Sequence, residues 1–222
     1  MSERLLIFMF YIPLFFLLVS CNNGTLESSE YNTEEDTVEV VFEEQQNSLT
    51  AQNYKELTEE SIILYEAKTP LYITNRYDKK KWFIRLYIQM HEYNENWTID
   101  ELFDLAEERY EYEKAWKDYA MKEYSVSVSE EEIESQSSYN YNIYQDNLPP
   151  SVRGMSDGLD LSVEEFMLEF DRDHAERSVI WKKLMPLLLE EHQDQGNQRL
   201  DGVYLGQIYE DEVSDYMEDE IR

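Results

Sequence analysis

The side chains that could do covalent or metal chemistry in this chain are one cysteine, three histidines and many carboxylates. The histidines, His91, His174 and His192, lie far apart in the sequence, and none belongs to an HExxH motif. The segment 171–174 (DRDH) places two carboxylates near an imidazole, but Arg172 beside them favours a solvated charged face over a metal site. The chain also has no GxSxG nucleophile motif and no phosphate-binding loop. These motifs therefore predict neither an enzyme nor a bound metal or other cofactor.

The single cysteine, Cys21, cannot close an intramolecular disulfide. It follows an apolar run from Leu5 to Val19, which is shorter than the roughly twenty residues of a membrane span and has the length of a signal-peptide core. The residues Leu18-Val19-Ser20-Cys21 resemble the lipobox of bacterial lipoproteins. The resemblance implies cleavage before Cys21 and a diacylglyceryl group on its thiol, which would anchor the protein at the extracytoplasmic face of the cell membrane. The alternative is a signal-anchor helix with an incidental cysteine.

The composition is strongly acidic, with 49 acidic against 19 basic side chains and a net charge of −30. This excess argues against nucleic acid as a partner, because no basic surplus exists to release counterions from phosphates. Both flanks carry acidic residues and almost no basic ones, whereas the centre has mixed charges and most of the large apolar side chains. The pattern predicts a signal peptide (1–20), an acidic flexible tether (21–55), a helical domain (56–192) and an acidic C-terminal tail (193–222).

Three capping boxes mark helix starts inside the central region, at Thr98, Ser129 and Ser162. Apolar residues recur there at helical spacing. They predict helices over 75–90, 99–124, 163–170 and 173–191, with Pro186 kinking or restarting the last one. The predicted fold class is all-α, a small multi-helix module with disordered acidic flanks.

Two further features suggest binding surfaces. The basic cluster Arg76–Arg85 is expected to pair internally with the acidic helix that begins near Thr98, in preference to binding phospholipid headgroups. A polar stretch between the capped helices contains tyrosines that either pack under a loop or form an exposed aromatic surface for peptide contact. Together with two tryptophans they are the predicted peptide-binding residues: Tyr139, Tyr141, Tyr144, Trp82 and Trp116.

Three phrases occur in order along the central segment: Ile73–Tyr77 (ITNRY), Ala120–Ile133 (AMKEYSVSVSEEEI) and Gly158–Phe166 (GLDLSVEEF). In order and spacing they resemble the N-terminal chaperone module of the SurA, PrsA and trigger-factor-like exported foldases. The resemblance implies an all-helical module that holds or guides unfolded exported chains. It does not imply prolyl isomerase activity, because the residues after Leu189 are too few for the catalytic domain of that family.

Three functions are compatible with these observations. The first is a membrane-anchored, non-catalytic, chaperone-like binder of unfolded or exported polypeptides, which an exposed contiguous apolar groove would favour. The second is a structural or regulatory lipoprotein that binds one folded partner, which a polar surface around a closed helical core would favour. The third is a lipoprotein that binds small molecules or cations, which a convergent carboxylate pocket would favour.

Overall fold

The apolar residues that recur at helical spacing lie on packed helices in the structure. This structure is a computed structural model that describes residues 49–69, 76–192 and 201–220. All of these residues belong to the compact unit Glu44–Arg222. They form no strand, which confirms the predicted all-α class. The helices are α1 (Ala51–Lys68), α2 (Arg76–Glu92), α3 (Ile99–Tyr124), α4 (Glu130–Tyr144), α5 (Pro150–Gly158), α6 (Val163–Glu165), which continues into a π-helical turn (Phe166–Phe170), α7 (Arg172–His192) and α8 (Gly202–Glu220).

The helix starts follow local hydrogen bonding. At Thr98, Ser129 and Ser162 the hydroxyl accepts from the backbone N–H three residues on, and the glutamate there accepts from the backbone N–H of the capping residue. All three predicted capping boxes are therefore confirmed. Thr50 caps α1 in the same way with Asn53. This helix start was not predicted, because asparagine stands where a capping box usually has Glu or Gln.

Buried apolar side chains form three clusters, each of which joins several helices. One lies between α3, α7 and α8 around Trp116, Leu184 and Tyr209. A second joins α1, α2, α4, α5 and the π-helical turn around Ile84 and Phe166, and a third joins α1, α2 and α3. The side chains of the third cluster include Tyr65, Phe83, Tyr87 and Leu102.

The C-terminal segment corrects the predicted domain division. Residues 202–220 form α8 and are not a free acidic tail, because Leu205, Tyr209 and Val213 are buried against α3 and α7. Tyr209 also donates a hydrogen bond of 2.7 Å to the backbone carbonyl of Trp116. At the other end, residues 51–55 belong to α1 and not to the tether. Nor does the predicted restart at Pro186 occur, since α7 continues past it to His192.

The predicted signal peptide, Cys21 and the tether up to residue 48 lie outside the described residues. Among the helices that the structure describes, none has both the length and the apolar character needed to cross a membrane.

Candidate functional site

The three tyrosines predicted to contact peptide lie inside α4 and not in a loop between helices. Tyr139 is 58% exposed, whereas Tyr141 and Tyr144 are half-buried against the cluster around Phe166. The difference follows from helix geometry, because residues two apart point to different sides of a helix. Of these three tyrosines, Tyr139 alone offers most of its ring to solvent.

The two predicted tryptophans lie in a chain of rings and cations between α2, α3 and α7. The Trp116 side chain is 2% exposed, and its ring centroid lies 4.2 Å from the guanidinium carbon of Arg177. The half-buried Trp82 ring has the guanidinium carbons of Arg85 and Arg109 at 4.7 and 5.1 Å from its centroid. Burial leaves Trp116 no surface to offer a peptide, so its assignment as a binding residue is corrected.

Glu113 connects the two tryptophan environments. Its carboxylate lies 2.6 Å from the guanidinium of Arg109 and 2.8 Å from that of Arg177, and the residue is 8% exposed. Trp82 and Trp116 therefore stand at the two ends of one buried network of cation–π contacts and ion pairs. The pair of Glu113 with Arg177 joins α3 to α7. Removing one member of the network would leave a largely buried charge without its partner, so we expect the network to stabilise this helix contact.

The basic cluster pairs internally, and with more helices than the sequence analysis expected. Lys79 pairs with Glu107 of α3 at 2.5 Å, as predicted. The remaining pairs reach α1 and the start of α7: Lys80 with Glu66, Lys81 with Asp173, and Arg85 with Asp171 and Asp173.

Asp171 and Asp173, expected on a solvated face, instead converge on Arg85. The guanidinium donates to Asp171 at 3.1 Å and to Asp173 at 2.5 Å. Burial by itself would raise the pKa of Asp173, but Arg85 and Lys81 outweigh burial and hold that pKa well below its usual range. Burial raises the pKa of Asp171 in spite of the nearby Arg85. These groups join α2 to α7 and leave no carboxylate pair free for chemistry.

An open groove with a volume of about 500 Å³ lies between α4 and α7. Most of the side chains that line it end in polar groups, although their carbon atoms make more of its surface apolar than polar: Glu131, Glu132, Ser135, Gln136, Tyr139, Val179 and Lys182. We call this surface the α4–α7 groove. Ile143, which is 54% exposed, lies one turn beyond Tyr139 on the same side of α4. Of the groove residues, Tyr139 alone was predicted from the sequence, although Glu131, Ser135 and Tyr139 follow one another there at intervals of four residues.

Lys182 crosses the middle of the groove. Its ammonium donates to Gln136 Oε1 at 2.6 Å and lies 5.8 Å from the centroid of the Tyr139 ring. Gln136 in turn donates to Asn140 Oδ1 at 2.7 Å. In the part of the chain that the structure describes, no carboxylate pairs with Lys182. The amide and the ring therefore hold this cation in a position that solvent or a ligand can reach.

The carboxylates at the start of α4 divide into two sets. Glu130 pairs with Arg172 and Glu132 pairs with Lys183, both from α7. The hydrogen bond from Lys183 and the backbone N–H of Ser129 lower the pKa of Glu132. Within the described ranges, Glu131 and Glu134 have no ion-pair partner, and both are exposed.

A second, smaller crevice of about 170 Å³ lies between α2, α3 and α7. Most of the charged side chains that line it already belong to ion pairs, among them Lys81, Glu113, Lys117 and Asp173. Its polarity therefore serves the packing of these helices. Among the described residues, no cluster of His, Asp or Glu side chains is arranged to hold a metal ion.

Comparison with protein-family models, curated proteins and solved structures finds no match to this chain. The α4–α7 groove and the sequence motifs are therefore the features that bear on function.

Proposed function

We propose that this protein is a lipoprotein held at the extracytoplasmic face of the cell membrane through Cys21, and that its helical domain binds one folded partner protein in the α4–α7 groove. The anchor is supported by the resemblance of residues 18–21 to a lipobox. The proposal includes no catalytic step and no cofactor.

The observation that carries the partner-binding proposal is the composition of the groove. Polar side chains surround one exposed ring, Tyr139, and one aliphatic side chain, Val179, while the buried apolar side chains are packed in three closed clusters elsewhere in the domain. A fixed set of polar groups around a small aromatic anchor suits one complementary surface, because every buried polar group must then find its own partner. Unfolded clients of varied sequence cannot meet that requirement.

The second candidate is the chaperone-like binding of unfolded or exported polypeptides. It is favoured by the exposed pair Tyr139 and Ile143, which lie one turn apart beside the groove. Against it stands the position of most of the other exposed large apolar residues, which are scattered over several helices, such as Ile63 on α1, Met121 on α3 and Val203 on α8. Met185, Leu187 and Leu189 lie near one another on α7, but each of them is only 38–39% exposed. Scattered apolar residues are usual on soluble domains and do not form a broad client-binding surface.

Site-specific photo-crosslinking in cells tests the proposal. A photoreactive amino acid would replace Gln136 in the full-length chain, and a matched control would replace the exposed Asp118 on α3. We expect Gln136 to give one discrete adduct that Asp118 does not give. Tyr139→Ser should weaken that adduct, whereas Tyr93→Ser, at a tyrosine that is 49% exposed, should leave it unchanged.

The outcomes separate the two candidates. Many adducts of different mass from Gln136, together with suppressed aggregation of an unfolded test protein, would favour the chaperone-like function. A discrete adduct from Asp118 and none from Gln136 would show that the groove is not the binding surface.

A further inference from the structure

The C-terminal helix α8 lies in an apolar groove between α3 and α7, which we call the α3–α7 groove. We propose that α8 is an autoinhibitory cover of this groove, and that an amphipathic helix of a partner protein, with apolar side chains at intervals of four residues, binds there when α8 leaves it. This surface is distinct from the α4–α7 groove, and the inference does not depend on the proposed function.

The way in which α8 lies in the α3–α7 groove shows what kind of ligand the groove takes. Leu205, Tyr209 and Val213 follow one another at intervals of four residues, and each is at most 2% exposed. The groove side chains that pack around them belong to one apolar cluster and are each at most 3% exposed: Trp116, Ala120, Ile180, Leu184 and Leu188. An amphipathic helix that inserts such a row into an apolar groove is a recurring mode of recognition between proteins.

The walls of the groove are held together by contacts that do not involve α8. Lys117 of α3 pairs with Glu176 of α7 at 2.9 Å, and Glu113 of α3 pairs with Arg177 of α7 at 2.8 Å. The other two apolar clusters join α1, α2, α3, α4, α5 and the π-helical turn. Release of α8 would therefore uncover a formed apolar groove, and the rest of the domain would keep its own core.

The sequence of α8 disfavours a helix that stands alone. The segment GVYLGQIYEDEVSDYMEDE contains seven acidic residues and no lysine or arginine, and Gly202 and Gly206 lie in its first half. Asp211 and Asp215, both exposed, are like charges four residues apart and repel each other. The last turn has no basic side chain to offset the negative end of the helix dipole. Because glycine also lowers helix propensity, α8 depends on the groove for its structure.

The polar contacts between α7 and α8 are poorly matched. The guanidinium of Arg177 approaches the carboxylate of Glu210 only to 3.6 Å. His192 is buried, and neither of its ring nitrogens has a hydrogen-bond partner among the described residues. Its Nε2 lies 3.8 Å from the carboxylate of Glu212, which is too long for a hydrogen bond. Since a buried polar group without a partner costs free energy, these contacts weaken the hold of α7 on α8.

The covalent link makes α8 a competitor that a free partner has to displace. Residues 193–201 join it to α7, and a short tether of this kind gives an effective concentration of about millimolar. The apparent affinity of a partner helix is therefore reduced by the fraction of molecules in which α8 is released. That affinity should follow the stability of α8 in the groove, which single substitutions on α8 can change in both directions.

The probe is a labelled synthetic peptide with the sequence of residues 201–220. It is titrated by fluorescence anisotropy against the full-length chain in non-ionic detergent, at an ionic strength of about 0.15 M to screen charge repulsion. A second peptide, with serine in place of Leu205, Tyr209 and Val213, controls for non-specific binding. The chain is the wild type, Val213→Ala, which weakens the packing of its own α8, or Gly206→Ala, which strengthens that helix.

We expect Val213→Ala to bind the apolar peptide at least about tenfold more tightly than the wild type does, because its own α8 is released more often. Gly206→Ala should bind the peptide at least about twofold more weakly than the wild type, because its α8 is the better helix. The serine peptide should bind none of the three chains. Equal affinity in the three chains, or equal binding of the two peptides, would overturn the inference.

Hydrogen exchange of the wild-type full-length chain provides a test that needs no variant. The backbone amides of residues 205–217 in α8 should exchange faster than those of residues 102–120 in α3. Amides of α8 that are as well protected as those of α3 would show that α8 opens only when the whole domain unfolds, and this result would overturn the inference.

Discussion

Gly154 lies so close to α1 that a Cβ atom at its position would be 2.2 Å from the carbonyl oxygen of Ala51 and 2.5 Å from the Cβ of Tyr54. Gly158, one turn later, meets Thr58 in the same way, at 2.7 Å from its Cβ. The GxxxG spacing in α5 thus lets two helix backbones approach without intervening side chains. Val152 and Met155 of α5 also pack on the cluster that contains Phe166. The close contact between α5 and α1 therefore helps to hold α1 against the rest of the domain.

We therefore expect Gly154→Ala to lower the free energy of unfolding by about 2 kcal/mol, since the new methyl group has no room and the helices must separate. Gly206→Ala is the matched control. A Cβ at Gly206 would lie 3.8 Å from Trp181, an ordinary contact, so the higher helix propensity of alanine should stabilise the protein by about 0.5–1 kcal/mol. Urea unfolding followed by circular dichroism measures both, and equal effects of the two variants would contradict the close packing.

The burial of α8 predicts an asymmetry between two valines of that helix. Val213 is fully buried and Val203 is 67% exposed. Val213→Ala should cost about 2 kcal/mol of unfolding free energy through lost burial, whereas Val203→Ala should change it by less than about 0.5 kcal/mol. If both substitutions were neutral in the same urea experiment, α8 would not be part of the cooperative unit.

The ion pairs at Arg85 predict a loss of stability in acid. The carboxyl of Asp173 has a lowered pKa in the folded protein, so its contribution is fully present above the unfolded pKa of about 3.9 and is lost as pH falls toward the folded value. The pKa of Asp171 is raised, so its titration changes the stability with pH in the opposite direction. Single variants are therefore needed to separate the contributions of the two carboxyl groups.

Asp173→Asn should lower the free energy of unfolding at neutral pH by about 3 kcal/mol, because Arg85 and Lys81 lose their shared carboxylate. The variant should also lose less stability than the wild type between neutral pH and pH values below about 4. Asp104→Asn, at an exposed position of α3, is the control and should follow the wild type. If the free energy of unfolding fell more steeply with decreasing pH in Asp173→Asn than in the wild type, the predicted direction of the pH effect would be wrong.

The lipobox resemblance predicts the behaviour of Cys21→Ser. Without a thiol no acyl chains can be attached, so incorporation of radiolabelled palmitate should be lost and the protein should leave the membrane fraction. Val203→Ala, at a position that is 67% exposed, leaves Cys21 in place and is the control that should keep its label. Unchanged labelling and fractionation of Cys21→Ser would refute the proposed anchor.

The helix starts and the all-α class could be predicted from the sequence because the interactions that decide them are local. A capping box involves two residues three apart, and Thr98, Ser129 and Ser162 initiate helices wherever the rest of the chain packs. The ends of α3 were likewise predicted, since the apolar row from Ile99 onward lies within a single helix.

Which helix faces pack against one another could be predicted far less well. The acidic composition of residues 202–220 suggested a tail, although Leu205, Tyr209 and Val213 already form a row at intervals of four residues. Such a row stabilises a helix only if another surface is present to cover it, and α3 and α7 provide that surface. The burial of Trp116 and the exposure of Tyr139 were decided in the same way.

The sequence by itself thus determined where helices begin, how much charge the chain carries and which residues resemble a lipid attachment site, because each depends on neighbouring residues or on composition alone. Tertiary structure decided which carboxylates are neutralised and which are left free. Lys183 reaches Glu132 across 51 positions of sequence, and Arg172 reaches Glu130 across 42. Glu131 remains exposed beside them in the lining of the open α4–α7 groove.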